Sequence, residues 1–139
     1  MGYVITLVVD LAGALLAMTM IGLFMSRDHS ASGSAEYTAQ PDLLFAAAVV
    51  LQNESDIKTR VVEETPGVRR VSEIIEEPGA AFGGRWTLDF EPCPGGTRLT
   101  ITEDGHVYNP LFRFLGRFTF SHKPTLNQFL KTLLSRIRV

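Results

Sequence analysis

The sequence predicts an α+β domain, an antiparallel sheet packed on a long C-terminal helix, carried behind one N-terminal transmembrane helix. Three observations predict it. The run Gly2 to Met25 holds one charged side chain, Asp10. Residues Arg85 to Glu91 alternate with a period of two, and the alternation resumes at Leu99 and Ile101 after a proline- and glycine-rich turn. Beyond Pro124, apolar residues recur at three- and four-residue spacing as far as Ile137. The 139 residues make one domain's worth of chain, and 13 basic against 15 acidic side chains are too balanced for a protein that coats nucleic acid.

The N-terminal run, GYVITLVVDLAGALLAMTMIGLFM, has the length to cross a hydrocarbon core of ~30 Å at ~1.5 Å rise per residue. A central aspartate costs ~2.5 to 3.5 kcal/mol on insertion scales, which Leu, Ile, Val and Phe at ~0.3 to 0.6 each outweigh over the segment. Asp10 reads as a tolerated polar residue, with protonation or pairing to another helix as the alternative. Residues 1–26 are therefore taken as the span and 27–33 as a linker. A cleaved signal peptide is the rival reading. It lacks support from a basic n-region or a short apolar core, although Gly33-Ser34-Ala35 has the small residues of a cleavage site. Arg27 and His29 follow the span and nothing basic precedes it, so the positive-inside tendency puts the C-terminal domain in the cytoplasm. Gly13 and Ala17 form a small-xxx-small pair, a weak signal for span association.

From Ser34 the expected order is a strand to Ala39, then a short apolar helix from Leu43 to Leu51. Pro41 and Asp42 suit that helix's first turn. The runs Ile57 to Glu64 and Val68 to Glu77 flank Thr65-Pro66-Gly67, a hairpin candidate with one solvated side. In the next pair Trp86, Leu88 and Phe90 face one way, and Leu99 and Ile101 resume that face beyond Pro92-Cys93-Pro94-Gly95-Gly96. Pro110 opens an aromatic segment, and Pro124 interrupts or kinks the helical stretch that follows. The apolar side of the final helix needs a burial partner, and the apolar face of the sheet is the natural one.

Charge is unevenly spread, at −3 over residues 1–51, −5 over 52–109 and +6 over 110–139. Packing of the basic end on the acidic middle is the simplest account, with attraction to anionic lipid or RNA as the alternative.

Few residues suggest chemistry. Glu103, Asp104 and His106 are close in sequence and have the types needed for acid–base work, but Asp104-Gly105 is a turn pair and a solvated turn explains all three. His29, His106 and His122 show no metal-ligand spacing, and the single Cys93 excludes a disulfide framework and a cysteine zinc site. No feature activates the Cys93 thiol. Asn53-Glu54-Ser55 fits a glycosylation acceptor, relevant only to a lumenal domain. No cofactor, metal or catalytic residue is expected.

The stretches Phe82-Gly83-Gly84-Arg85-Trp86-Thr87-Leu88, Gly95-Gly96-Thr97-Arg98-Leu99-Thr100 and Thr102 to Phe114 resemble the SRPBCC superfamily. These are START-related proteins of the polyketide cyclase/dehydrase and lipid-transport type. The resemblance covers roughly residues 30–139. It implies a helix-grip fold with a deep apolar cavity between sheet and C-terminal helix, and it carries over no universal catalytic residue. Cavity candidates are Trp86, Leu88, Phe90, Leu99 and Ile101 on the strands, and Phe114, Leu115, Phe118, Leu126, Phe129 and Leu130 on the helical part; plain core packing is the alternative for the aromatics among them. Relative to the family the domain, 34–139, is shortened by a second short helix and about two strands, which would leave an open edge able to pair with another chain.

Three functions follow as expectations. The first is membrane-tethered binding or transfer of a hydrophobic small molecule of lipid, polyketide or isoprenoid class, with no nucleic-acid partner. The second is a cyclase- or aromatase-like enzyme, which would need inward ionisable groups; none is seen on the apolar faces traced above. The third is a protein-interaction module.

Overall fold

The computed structural model describes residues 1–118 and 123–137. Helix α1 spans Gly2–Leu23, β1 Asp28–Tyr37, α2 Pro41–Asn53, β2 Thr59–Thr65, β3 Arg69–Ile74, β4 Phe82–Cys93, β5 Gly96–Val107, α3 Pro110–Phe118 and α4 Lys123–Ile137. The five strands form one antiparallel sheet in the order β1-β5-β4-β3-β2. The chain is thus α+β, of the helix-grip-like class, with an apolar N-terminal helix.

The β4–β5 hairpin is the centre of the sheet, twelve residues a side from Phe82↔Val107 to Cys93↔Gly96. Its register places Leu88 opposite Ile101 and Phe90 opposite Leu99, so the alternation read from sequence becomes one buried stripe. Helices α2 and α4 cover that stripe. Leu44, Phe45 and Ala48 of α2 and Leu126, Leu130 and Leu133 of α4 close the core with Tyr37 and Ala39. The Phe45 and Phe90 rings meet at 5.2 Å between centroids. Two buried hydroxyls tie the ends: Tyr37 donates to the Leu130 carbonyl at 2.8 Å, and Thr97 to the Ala39 carbonyl at 2.7 Å. Burial pushes the Tyr37 phenol up to about 12, because its anion would lose water without gaining a partner cation.

Pro41 opens α2 with Asp42 in its first turn, as the sequence suggests. The β2–β3 turn closes on Gly67, whose φ of 76° suits glycine and whose α-carbon lies against the Asp42 carboxylate. Strand β2 forms one edge of the sheet. It is exposed throughout, carries Arg60, Glu63 and Glu64, and breaks register between Val61 and Glu63, features that blunt an edge against pairing.

Two expectations are corrected. Strand β1 begins at Asp28 and not after a 27–33 linker: Asp28 through Gly33 pair with His106 through Ile101. Ser, Ala and Gly in that stretch give no hydrophobic alternation, so the strand is specified by its partner. Asp104-Gly105 is not a turn. Both residues lie within β5 and are paired on both sides, to Ser30 and His29 of β1 and to Arg85 and Gly84 of β4. Pro124 falls at the start of the described part of α4, and residues 119–122, where an interruption or kink would show, lie outside the described residues.

α1 is long and apolar enough to cross a membrane, although a signal sequence near an N-terminus has the same properties. Its end is not loosely hinged. Gly22 is buried against the Pro110 backbone, closer than any side chain would allow, so α3 packs on the last turns of α1. The Arg113 guanidinium, itself buried, donates from Nε to the Val107 carbonyl (2.7 Å), from Nη2 to Tyr108 (2.8 Å) and from Nη1 to Gly22 (3.1 Å). The α1 C-terminus therefore receives a cation at its negative dipole end. Of the basic C-terminal residues, Arg136 reaches the acidic middle, with a two-pronged contact to Glu54 at 2.7 and 2.5 Å. That guanidinium holds the Glu54 carboxyl below its usual range.

Candidate functional site

Where α2 ends at Asn53, the core gives way to a groove of about 1060 Å³ between the sheet and the three domain helices. Period-two geometry supplies its floor: Trp86 and Phe82 of β4, Glu103 and Val107 of β5, Ser72 and Ile74 of β3, and His29 of β1 all project to the side that carries Leu88 and Ile101. Phe129 and Thr132 of α4 form one wall, Phe112, Leu115 and Gly116 of α3 another, and Leu51 with Ile57 a third. Trp86 and Phe129 meet edge to face at 5.4 Å and mark where the groove meets the core.

A polar chain braces the α2 side. Gln52 donates to Ser72 Oγ at 2.6 Å and accepts from Arg70 Nε at 3.0 Å, and Arg70 pairs with Glu64 at 2.6 Å. These bonds consume the polar groups of the buried Arg70 and Ser72 at the back of the groove.

Of the eleven cavity candidates, Trp86, Leu115 and Phe129 are on the groove wall. Leu88, Phe90, Leu99, Ile101, Leu126 and Leu130 pack together in the closed core beside it. Phe114 is half-buried on α3, outside that wall, and the Phe118 side chain lies outside the described residues. His122 is outside them too.

The acidic cluster is split by the strand. Glu103 turns into the groove while Asp104 and His106 turn to the opposite face, so the three are not brought together. On that outer face His106 Nδ1 lies 2.5 Å from Asp28 Oδ1 across the β1–β5 ladder. Beside them Glu73 bridges Arg60 (3.1 Å) and Arg85 (2.9 Å), which lower its pKa, and Tyr108 donates to Glu76 at 2.7 Å. This hollow, about 640 Å³, is polar, and the contacts above pair its Arg60, Arg85, His106 and Tyr108 with carboxylates. Among the described residues no group of acids, histidines and cysteine is arranged to hold a metal ion.

Sequence reasoning missed the inward Glu103 and His29. The signal was present: 103 continues the phase of 99 and 101, and reading a turn at Asp104-Gly105 cut that phase short.

No family model matches the chain, and no curated protein matches it. Solved structures do. The chain is similar to protein Mll3558 from Rhizobium loti, with 19% identity, a TM-score of 0.58, and 78% of this chain and 96% of that one covered. It is similar to CV1439 from Chromobacterium violaceum, with 15% identity, a TM-score of 0.58, and 79% and 97% covered. TTHA0849 from Thermus thermophilus matches at 19% identity and a TM-score of 0.51, with 78% and 97% covered. What they share with this chain is the fold.

Proposed function

We propose that the chain is a membrane-tethered protein that binds or transfers a hydrophobic small molecule of lipid, polyketide or isoprenoid class. The observation that carries this is the largely apolar groove of about 1060 Å³ left open beside a fully packed core. A groove of that size with few polar groups is the usual form of a small-molecule site. Helix α3 adds to the argument, because it packs on α1 and also walls the groove. With α1 in the bilayer, α3 lies at the membrane surface and the groove opens beside the lipid that supplies its ligand. The helix-grip-like fold agrees with a place in the SRPBCC superfamily. Arg27 alone then argues for a cytoplasmic domain, since His29 turns into the groove.

The test is native mass spectrometry of the full chain released from detergent. Among the described residues no atom lies within 4 Å of a Cβ added at Gly116, which lines the groove, so Gly116→Trp is chosen to fill the groove away from the core. A lipid adduct on the wild type that disappears in Gly116→Trp, at unchanged melting temperature, is the expected result. A wild type without adduct, or one unaffected by the substitution, refutes the reading.

A cyclase-like enzyme is the second reading. Glu103 and His29, a carboxylate and an imidazole facing the groove, are the ionisable groups it would need. Turnover of a polyketone chain that is lost in Glu103→Gln would favour it.

A further inference from the structure

Strand direction puts one end of the sheet against α1. The first residues of β1, β4 and β2 and the last of β5 and β3 share that end, as the pairs Asp28↔His106, Phe82↔Val107 and Thr59↔Ile74 show. α1 is fixed to it at two points: the Arg27 carbonyl accepts from the Val107 N–H at 2.9 Å, and Gly22 lies against Pro110 at the start of α3. Exposed apolar side chains gather at the same end, where Phe24, Ile57, Ile75, Phe82, Tyr108 and Phe112 stand. The opposite end, with the β2–β3 and β4–β5 turns, exposes Leu43 and Val68 among the described residues. Ile57, Phe82 and Phe112 are each half exposed, and all three line the groove. Charge at the α1 end is acidic on balance: Arg27 and Lys58 stand with Asp28, Asp56, Glu76 and Glu77 in the segments that begin or end there.

We propose that this end of the domain is a docking surface for a neutral lipid bilayer. Phe112, Phe82 and Ile57 sit among the head groups, the groove mouth opens onto the acyl chains, and a ligand enters from the leaflet without crossing water. The proposal deepens the reading of the groove as a ligand site on a membrane-spanning chain, and it rests on that reading. Continuity with α1 carries it. The span brings hydrocarbon up to its last turns, and Arg113 holds α3 there, so the exposed rings beside the junction meet the bilayer interface. An exposed apolar patch beside a span is an interaction surface, and aromatic and aliphatic side chains gain by burial at head-group depth. Because acids outnumber bases at this end, anionic head groups add no attraction, and apolar burial supplies it. Ile57 separates docking from mere tethering. It precedes β2, four strand spacings from β1, or ~19 Å at about 4.8 Å each, so it meets lipid only when the whole end lies on the bilayer.

The test uses the full chain in phosphatidylcholine vesicles, with its single native cysteine removed by Cys93→Ser. Nitroxide labels are placed one at a time through Ile57→Cys, Phe82→Cys and Phe112→Cys at the groove mouth, and through Leu43→Cys and Val68→Cys at the opposite end. All five positions are exposed, so the labels leave the core in place, and unchanged Trp86 emission verifies the fold. EPR saturation then compares collisions with oxygen, which concentrates in lipid, and with a nickel chelate, which stays in water. Oxygen collisions should dominate at 57, 82 and 112, and chelate collisions at 43 and 68. The same pattern is expected when part of the phosphatidylcholine is replaced by phosphatidylglycerol. Chelate-dominated collisions at 57 and 82 overturn the docking surface, as does oxygen dominance at all five positions or a pattern that needs phosphatidylglycerol. Native mass spectrometry keeps the two readings apart: a lipid adduct that persists after such a result leaves the groove as a ligand site, and its absence removes both.

Discussion

Replacing Arg113 by leucine tests whether the membrane helix and the domain are one mechanical unit. The buried guanidinium makes three bonds to backbone carbonyls, at 2.7, 2.8 and 3.1 Å, and the longest reaches Gly22 at the end of α1. Hydrogen bonds to a charged group contribute about 1.5 to 3 kcal/mol each. Water can reach the carbonyl of the exposed Tyr108 once the arginine is gone, so only the other two bonds are counted, and at the low end of the range the total loss is about 3 kcal/mol. For a domain of this size that lowers the melting temperature by about 10 °C. Trp86 emission follows the melt in the full chain, and amide exchange over residues 107–118 should rise together with exchange at the last turn of α1. Arg113→Lys should recover less than half of the loss, because one ammonium cannot span three carbonyls. A melting temperature within about 2 °C of wild type, with exchange unchanged in both segments, would refute the claim that Arg113 fastens α3 to α1.

Three further outcomes follow from the core and the surface. Tyr37 has its pKa raised to about 12 by burial, so the unfolded chain ionises first; its contribution is fully present below pH 10 and is lost as pH rises towards 12, by about 2 kcal/mol. Chemical denaturation across pH 9 to 12 should show a steeper fall in wild type than in Tyr37→Phe, and parallel curves would contradict it. Leu99 is fully buried on β5 of the central hairpin, so Leu99→Ala should cost about 2 to 5 kcal/mol, whereas Val62→Ala on the exposed edge should stay within about 0.5 kcal/mol. Glu54 titrates below the usual glutamate value beside Arg136; NMR titration of Arg136→Ala should return it towards 4.5, and an unchanged value would dissolve the pair.

The elements that sequence alone determined are those whose periodicity answers to a large buried face. Trp86, Leu88 and Phe90 against Leu99 and Ile101 define the central hairpin, Leu126 to Ile137 defines α4, and the long apolar run from Gly2 defines α1, because each pattern repeats long enough to admit one geometry. Tertiary structure decided the rest. The polar start of β1 is a strand only because β5 is there to pair with it, and Asp104-Gly105 stays extended because two neighbouring strands hold it. The site shows the same division: the sequence identifies which side chains are oily and that the short helix ends near Leu51, but not that a groove opens between the sheet and the helices beyond that end. Whether an inward residue becomes core, like Leu88, or groove wall, like Trp86 and Glu103, depends on what lies above it, and that is fixed by elements distant in the chain.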